Sequence, residues 1–482
     1  MRSRRWVWAL GGCLGVCLAA ACAAPDAPGP AAEGGRDAAA PDGRYVPTPT
    51  ACFGASPRFK TCGGLCGNAR RDDCVVTFGA GDQQRQSVRV TEPCDAADLG
   101  EATCASLKYG GGTLRCHTTC DYDTGDCDAC ARGGSIVACG RVAADTVAPE
   151  ALSLAATDNA VALAWVAETA PGGGATVHVA LYTRDFARIA HTTFATECFA
   201  PLYERRVAIA AVPTGWILAV QGGAGVTVRA LDAQGGARGA ARVVPGANQP
   251  ALTARPGAGP LFVWEDEGVH AALLNEDGTE ATAPVVAFRA ALDGGGGVFV
   301  GDGFLLAQRD GAGEGVAVAR IDLAGRLVSV THPVGSTSEY AQIAWTGSEA
   351  RLVYSDFGNP TNKFWVPLDR DGAAIGARVP LAKSYFGTCP VYADGADTVV
   401  LLAGYSVSGE ATGLDAMRIG PAGATVTEPF HVSQSPTQQS SQQMVRQGTD
   451  AVVAWIEGSG QWSPWFSPYG DPGRIQLARI RP

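Results

Sequence analysis

A repeat governs what the last two thirds of this chain can fold into. Seven short apolar runs, the first at residues 161–165 and the last at residues 451–455, recur with a period of about 48 residues, which lies in the range of β-propeller blades. The runs have four to six residues, are rich in β-branched or aromatic side chains, and are bounded by Gly, Asp or Asn. Buried strands have this length and composition, whereas helices run to about ten residues or more.

A second signal with the same period is a polar corner that ends in glycine. Gly278, Gly325 and Gly372 each close such a corner, and 47 residues separate each from the next. Glycine supplies the positive φ that tight hairpins need, and Asp suits the same turns. The sequence therefore predicts an all-β fold, a seven-bladed β-propeller over residues 133–482, with six or eight blades also compatible with the period. A fibronectin-like sandwich is disfavoured because the period is half of such a domain.

The last repeat lacks one strand. Its final apolar run covers residues 475–480, where the other repeats still have a strand to come. We expect a strand within residues 135–145 to complete this blade and to close the ring. The array as a whole resembles the Trp/Asp-Gly repeats of surface propellers from myxobacteria and related bacteria, a resemblance that does not imply one function.

Residues 1–21 have the organisation of a lipoprotein signal peptide. Three arginines precede an uncharged, mostly apolar stretch that is too short for a transmembrane helix. Residues 18–22, Leu-Ala-Ala-Ala-Cys, resemble a lipobox, which implies that Cys22 is lipid-modified; an ordinary cleaved signal peptide is the alternative. Several acyl chains on Cys22 anchor a protein stably in a membrane.

The segment after Cys22 predicts a tether. Residues 22–50 are mostly Ala, Pro, Gly and Asp, with too little apolar bulk to offset the entropy of ordering. We therefore expect a lipid-anchored protein of the cell envelope, held at the outer membrane or cell surface by a flexible linker of about 30 Å mean reach.

Residues 51–132 predict a small disulfide-rich module. Of the chain's 16 cysteines, 11 lie between Cys52 and Cys139, the density of small exported domains that need covalent cross-links. Thirteen cysteines beyond the signal peptide are disulfide candidates: Cys52, Cys62, Cys66, Cys74, Cys94, Cys104, Cys116, Cys120, Cys127, Cys130, Cys139, Cys198 and Cys389. Because thirteen is odd, one thiol is unpaired or bonded to another chain, or Cys22 is not the anchor.

The cysteine pattern also carries a family resemblance. Cys94-Asp95, the Thr-Cys-Ala-Ser-Leu of residues 103–107, the Gly-Thr-Leu before Cys116 and the Tyr-Asp-Thr before Cys127 resemble a cysteine-rich repeat of myxobacterial surface proteins. The resemblance implies extracellular placement and no enzymatic activity. The chain departs from the repeat at Asn68, which Ala rather than Gly follows.

Metal and nucleic-acid chemistry are not favoured. The Cys127–Cys130 spacing also suits zinc, and the Asp residues at 121, 123 and 126 suit calcium, but neither pattern is complete. A formal net charge of −10 argues against nucleic acid as a partner. The six histidines are scattered, and no nucleophile elbow or phosphate-binding loop occurs. We expect no metal, no cofactor and no catalytic residue that the sequence identifies.

One aromatic stretch stands out as a candidate ligand site. Trp462, Trp465 and Tyr469 lie in a Pro-broken loop of the last repeat and could stack against a sugar or a partner's apolar side chain. Rings that cap the blade are the structural alternative. The sequence thus favours a non-catalytic binding or display platform for a polysaccharide or protein. A polysaccharide hydrolase or lyase with paired carboxylates at the propeller mouth is the alternative.

Overall fold

The computed structural model of the chain describes residues 73–78, 86–91 and 94–481. Gaps within the last range are 96, 107–111, 117–121, 128–129, 131–134, 143–148, 169–174, 197–206, 290–294, 310–314, 336–337, 357–358, 382–388, 406–410, 434–438 and 458–473. The described part consists of strands and turns, and contains no helix long and apolar enough to cross a membrane.

Two short hairpins precede the propeller. Strands β1 (Asp73–Phe78) and β2 (Gln86–Thr91) form one, and β3 (Gly112–Cys116) and β4 (Tyr122–Cys127) form the other. Disulfides Cys94–Cys116 and Cys104–Cys127 cross-link the second hairpin to the segment before it. Of these four cysteines, Cys104 and Cys127 pack with Leu114 and two partly buried neighbours, so covalent bonds supplement a very small hydrophobic cluster here.

The predicted seven-bladed propeller is confirmed, and each blade is a four-stranded antiparallel sheet. Strand β5 is Ile136–Arg141. Blade one contains β6 to β9 (Pro149–Ala156, Val161–Glu168, Ala175–Tyr182, Arg188–Thr196). Blade two contains β10 to β13 (Val207–Val212, Gly215–Gly222, Gly225–Leu231, Ala237–Pro245). Blade three contains β14 to β17 (Asn248–Arg255, Ala258–Glu265, Val269–Leu273, Val285–Phe288). Blade four contains β18 to β21 (Gly296–Phe299, Gly303–Arg309, Val316–Asp322, Leu327–Val334).

The remaining blades follow the same order. Blade five contains β22 to β25 (Ser338–Trp345, Ala350–Asp356, Asn359–Leu368, Val379–Pro380). Blade six contains β26 to β29 (Val391–Asp394, Asp397–Tyr405, Ala411–Ile419, Thr425–Ser433). Blade seven contains β30 to β32 (Gln439–Gln447, Asp450–Glu457, Arg474–Ile480), and β5 is its fourth strand. The first strand of every blade contacts the first strands of both neighbouring blades, so seven inner strands surround one axis.

The polar corners predicted from the repeat are turns between the third and fourth strands. In blade two, Asp232 Oδ1 accepts hydrogen bonds from the backbone N–H groups of Gln234 at 2.9 Å and Gly236 at 2.8 Å. Gly235 has a φ of 79°, which a side chain would strain. Asp322 and Asp369 make the same pair of contacts in blades four and five. In these three blades the corner combines a side-chain acceptor with a glycine, which explains the period of the Asp and Gly residues.

The hydrophobic core lies between the blades. One cluster of buried side chains fills each of the seven seams, because alternate residues of every second strand point to opposite neighbours. In the second strand of blade seven, Val453 and Trp455 face blade six, whereas Val452 and Ala454 face blade one. Each fully buried large apolar side chain contributes about 1.5–3 kcal/mol, so every blade depends on both neighbours.

A strand from before the first blade closes the ring, as the incomplete last repeat predicts. β5 pairs antiparallel with β32, with Ala478 opposite Cys139 and Leu477 opposite Gly140. A Cβ at position 140 would lie 2.7 Å from the Cβ of Phe186 in blade one, so glycine permits this close approach. The disulfide Cys130–Cys139 fastens the closing strand to the segment before it, and Cys130 itself packs into the seam between blades six and seven.

A polar network fastens the same closure between blades seven and one. Gln447 donates from Nε2 to the carbonyl oxygen of Thr157 at 2.7 Å and accepts from Arg479 Nη2 at 2.6 Å. Asp450, with 1% of its side chain exposed, accepts from Arg481 Nε at 2.8 Å and lies 3.5 Å from Arg184 Nη2. The hydrogen bond from Arg481 holds the pKa of Asp450 below its usual range.

Two of the cysteine expectations are settled by the described residues. Cys127 and Cys130, whose spacing also suits zinc, are each oxidised to a disulfide. Cys389 is not a disulfide residue: it is a free thiol, 2% exposed, in the seam between blades five and six. The propeller seam buries it as a small apolar side chain, and burial raises its pKa although Lys363 opposes the shift. The other candidates, Cys52, Cys62, Cys66, Cys120 and Cys198, lie outside the described residues, as does the side chain of Cys74.

Candidate functional site

The two ends of the ring differ in how their strands are connected. At one end, here called the lower face, the first and second strands and the third and fourth strands are joined by tight turns, such as those at Val212–Gly215 and Asp232–Gly236. Antiparallel pairing places the starts of all seven inner strands at the opposite end, the upper face. In a propeller the upper end of the inner strands is where a ligand can reach side chains from several blades at once.

Inner strands are bulged at the upper face. Pairing with the second strand shifts between Asn248 and Ala251 in blade three, and between Ser440 and Gln443 in blade seven. Blade five shifts at the equivalent place, between Glu339 and Gln342. A bulge leaves residues out of the ladder and redirects their side chains, and such bulges concentrate next to functional sites.

Two of the bulges hold a non-glycine residue in the left-handed region. Gln249 has a φ of 46° and Ser441 a φ of 52°, and they occupy corresponding positions in blades three and seven. This conformation costs on the order of 1 kcal/mol or more for a residue with a Cβ, and it persists where surrounding structure enforces it. The N–H of Gln249 donates to Gln221 Oε1 at 3.0 Å, which is one such constraint.

The side chains at these bulges are uncharged and can form hydrogen bonds. Asn248, Gln249, Ser441 and Gln443 are all half-buried, and Gln442 between the last two is 5% exposed. We call Asn248, Gln249 and residues 441–443 the amide rim. Primary amides and hydroxyls offer donors and acceptors together, so the rim can bind a ligand that also offers both.

Glycines let polar side chains approach the inner strand of blade four. A Cβ at Gly296 would lie 2.8 Å from Gln342 Oε1, and one at Gly297 would lie 2.3 Å from Thr253 Oγ1. The absent side chains therefore bring an amide from blade five and a hydroxyl from blade three against the same strand. Similarly, Ser153 Oγ accepts from the N–H of Ile209 at 3.0 Å, which links the inner strands of blades one and two.

Carboxylates end the second strands of several blades at the upper face. In blade three, Glu265 lies opposite the rim residue Asn248. Asp356 ends the second strand of blade five opposite Ser338, and Glu457 ends that of blade seven opposite Gln439. Glu457 is 6% exposed and accepts a hydrogen bond from Gln476 Nε2 at 2.8 Å. The upper face thus carries both uncharged rim side chains and carboxylates.

Elsewhere, the described carboxyl groups with shifted pKa values all have lowered ones, because hydrogen bonds stabilise the charged form. Asp277 and Asp322 have lowered pKa values because they accept hydrogen bonds within corner turns, from Thr279 and Arg326 respectively. Asp415, 2% exposed, lies 2.6 Å from His431 Nδ1 on the outer part of blade six. Among the described residues, no three His, Cys, Asp or Glu side chains come together as a metal site would require.

The aromatic candidates cannot be placed. Trp462, Trp465 and Tyr469 lie outside the described residues, and so does Cys22. The strand residues that flank the aromatic loop, Glu457 and Arg474, pair with each other at the upper face.

Sequence reasoning missed the amide rim, and a signal for it was present. Residues 438–443 read Gln-Gln-Ser-Ser-Gln-Gln, a polar run at the start of a repeat, whereas blade two starts with Val-Ala-Ile-Ala at residues 207–210. Blade three repeats it in shorter form at Asn248-Gln249.

No protein-family model matches the sequence, and no curated protein is similar enough to count as a relative. Solved structures with a similar course of the chain include a subtype N10 neuraminidase-like protein from a little yellow-shouldered bat isolate, at 8% identity and a TM-score of 0.40, covering 72% of this chain and 98% of that one. The polysaccharide lyase Uly1 has 10% identity and a TM-score of 0.44, and the match covers 75% of this chain and 94% of the lyase. An acylaminoacyl peptidase from Pyrococcus horikoshii has 9% identity and a TM-score of 0.42. That match covers 70% of this chain and 52% of the peptidase. Likenesses of this size say nothing about a ligand for this chain.

Proposed function

We propose that the protein is a non-catalytic binding or display platform of the cell envelope, and that the upper face of its propeller binds a neutral polysaccharide. The observation that carries the proposal is the amide rim, in which bulged inner strands hold Gln249 and Ser441 in an unfavourable backbone conformation. Sugar hydroxyls are both donors and acceptors, and so are the amides and hydroxyls of the rim.

Charge supports a neutral ligand. The rim side chains carry no formal charge, whereas Glu265 lies opposite Asn248 of the rim and Glu457 ends the second strand of blade seven, so an anionic polymer would meet repulsion. The net charge of −10 over the whole chain acts in the same direction. A polysaccharide without carboxylates or sulfates fits this surface better than an acidic one.

A glycan-binding screen tests the proposal. The purified full-length protein in detergent would be applied to an array of neutral and acidic polysaccharides, with bound protein and released reducing sugar measured together. Gln249→Gly and Ser441→Gly remove the rim side chains while keeping a backbone that tolerates positive φ. We expect each variant to lower affinity at least tenfold, whereas Gln234→Ala, an exposed amide on the lower face, keeps it. Binding that survives both rim variants would contradict the proposal.

The second candidate function is a polysaccharide hydrolase or lyase, favoured by Asp356 and Glu457 at the upper face. Glycoside hydrolysis needs one carboxyl as an acid and another as a base or nucleophile. Released reducing ends or unsaturated products in the same screen, lost in Glu457→Gln, would establish this function in place of simple binding.

Membrane attachment is a separate part of the proposal. The lipobox-like residues 18–22 support lipidation of Cys22, and the three disulfides agree with an oxidising compartment. Metabolic labelling with a fatty-acid analogue, followed by membrane fractionation, tests it. We expect Cys22→Ser to abolish the label and to release the protein from membranes, whereas an unchanged label would refute the assignment.

A further inference from the structure

Two histidines of blade one lie side by side in a stack with a tryptophan. Trp165, His178 and His191 come from the second, third and fourth strands, and the ring of Trp165 stacks on His178 at 4.9 Å and on His191 at 5.7 Å between centroids. His178 Nδ1 lies 3.1 Å from His191 Nε2. Register explains the meeting, because His178 is opposite Thr193 and His191 is opposite Ala180, which makes the two histidines diagonal neighbours on one face.

The pair has the composition of a bidentate metal ligand. Imidazole nitrogens bind zinc or copper at about 2.0–2.1 Å, so two nitrogens 3.1 Å apart subtend about 100° at a shared ion. That angle lies between the square-planar and tetrahedral values. The nitrogens therefore need little movement to share an ion in place of a proton.

One histidine of the pair is buried and the other is accessible. His178 is 6% exposed, whereas His191 lies exposed on the outer strand of the blade. An ion can therefore reach the pair from the side of His191.

We propose that His178 and His191 chelate one copper(II) ion at the outer part of blade one, with water completing its coordination. Copper(II) is the expected ion because it heads the affinity order for nitrogen ligands and accepts tetragonal geometry. Zinc(II) should bind more weakly, since two protein ligands are fewer than its usual three or four.

Blade three provides a matched control within the same chain. Trp264 stacks on His270 at 5.5 Å in the equivalent arrangement. There, however, His270 Nε2 lies 2.7 Å from the carbonyl oxygen of Asp266. Val286 is opposite His270, and the residue two positions earlier, which corresponds to His191, is Pro284. This blade has the tryptophan–histidine stack without the second imidazole, so copper should discriminate between the two blades.

The test is titration of the full-length, metal-free protein with copper sulfate in a weakly chelating buffer, followed by calorimetry and electron paramagnetic resonance. We expect one equivalent with nitrogen hyperfine structure from two imidazoles. His191→Ala should lower the affinity at least tenfold, and its exposed position allows the variant to fold. His270→Ala should bind like the unaltered protein.

Fluorescence gives an independent readout of position. Copper(II) next to Trp165 should quench part of the tryptophan emission, and Trp165→Phe should lose that quenching while keeping the calorimetric equivalent. Equal copper binding by the unaltered protein and His191→Ala, or no binding above the buffer blank, would overturn the proposal. Zinc sulfate serves as the comparison ion, and tighter binding of zinc than of copper would also contradict it.

Discussion

Gln308 in blade four offers a sharp test of how the seams are built. Its place in the second strand corresponds to Trp165 of blade one and Trp455 of blade seven, both buried aromatic residues. Gln308 is 1% exposed, and neither its Nε2 nor its Oε1 has a hydrogen-bond partner among the described residues. An amide at a position that other blades fill with an aromatic ring should cost stability.

The expected gain from Gln308→Leu follows from that geometry. An unsatisfied buried polar group costs about 1–3 kcal/mol, and leucine removes two such atoms at similar volume. Part of the gain is lost if leucine packs imperfectly, so we expect the free energy of unfolding to rise by about 1–3 kcal/mol. Unfolding entropy scales with chain length, which converts this gain to a rise in Tm of about 1–4 °C for a propeller of this size.

Calorimetry and urea denaturation of both proteins would measure the change. The matched control is Gln221→Leu in blade two, where Oε1 accepts from the N–H of Gln249, so the same substitution should destabilise. A lower Tm for Gln308→Leu would refute the reasoning, because it would show that the amide makes favourable contacts in the folded protein.

Three further predictions concern the closure, a turn and the free thiol. Asp450→Asn should destabilise by about 1.5–3 kcal/mol at pH 7, because it removes a charged acceptor of Arg481. Since the folded pKa of Asp450 is lowered, this difference should hold above about pH 4 and vanish as the pH falls through that lowered pKa, which urea titrations across pH would show. Gly215→Ala should reduce Tm more than Gly347→Ala, because a Cβ at 215 would lie 2.1 Å from a strand carbonyl whereas one at 347 meets nothing within 4 Å. Cys389 should resist a maleimide reagent until the protein unfolds, and rapid labelling of the folded protein would contradict its burial.

The architecture was predictable because its causes are local and repeated. Several corners combine an acceptor such as Asp232 with a glycine such as Gly235, and these leave a period in the sequence. The missing last strand followed from counting the same units, and β5 confirms it. Seven blades could be distinguished from six or eight only once the seams were seen to close.

The candidate site was less predictable because it depends on register. Gln249 and Ser441 lie at the upper face because their strands are bulged, and the polar runs at residues 248–249 and 438–443 do not by themselves predict a bulge. His178 and His191 meet only because of the particular pairing of two strands. Cys389 was expected to pair with another cysteine, but a seam between blades buries it as an apolar side chain, and sequence alone does not distinguish the two environments.

The closing strand has a consequence for the order of events during folding. β5 leaves the ribosome early, yet its partner β32 follows about 340 residues later, a pairing of very high contact order. At synthesis rates of about 5–20 residues per second the first strand waits for roughly 17–70 s with an unpaired edge. In an oxidising compartment the Cys130–Cys139 disulfide can form without the rest of the propeller, since the two cysteines are only 9 residues apart. The closing strand β5 can therefore be cross-linked to the segment before it while its pairing partner β32 is not yet available.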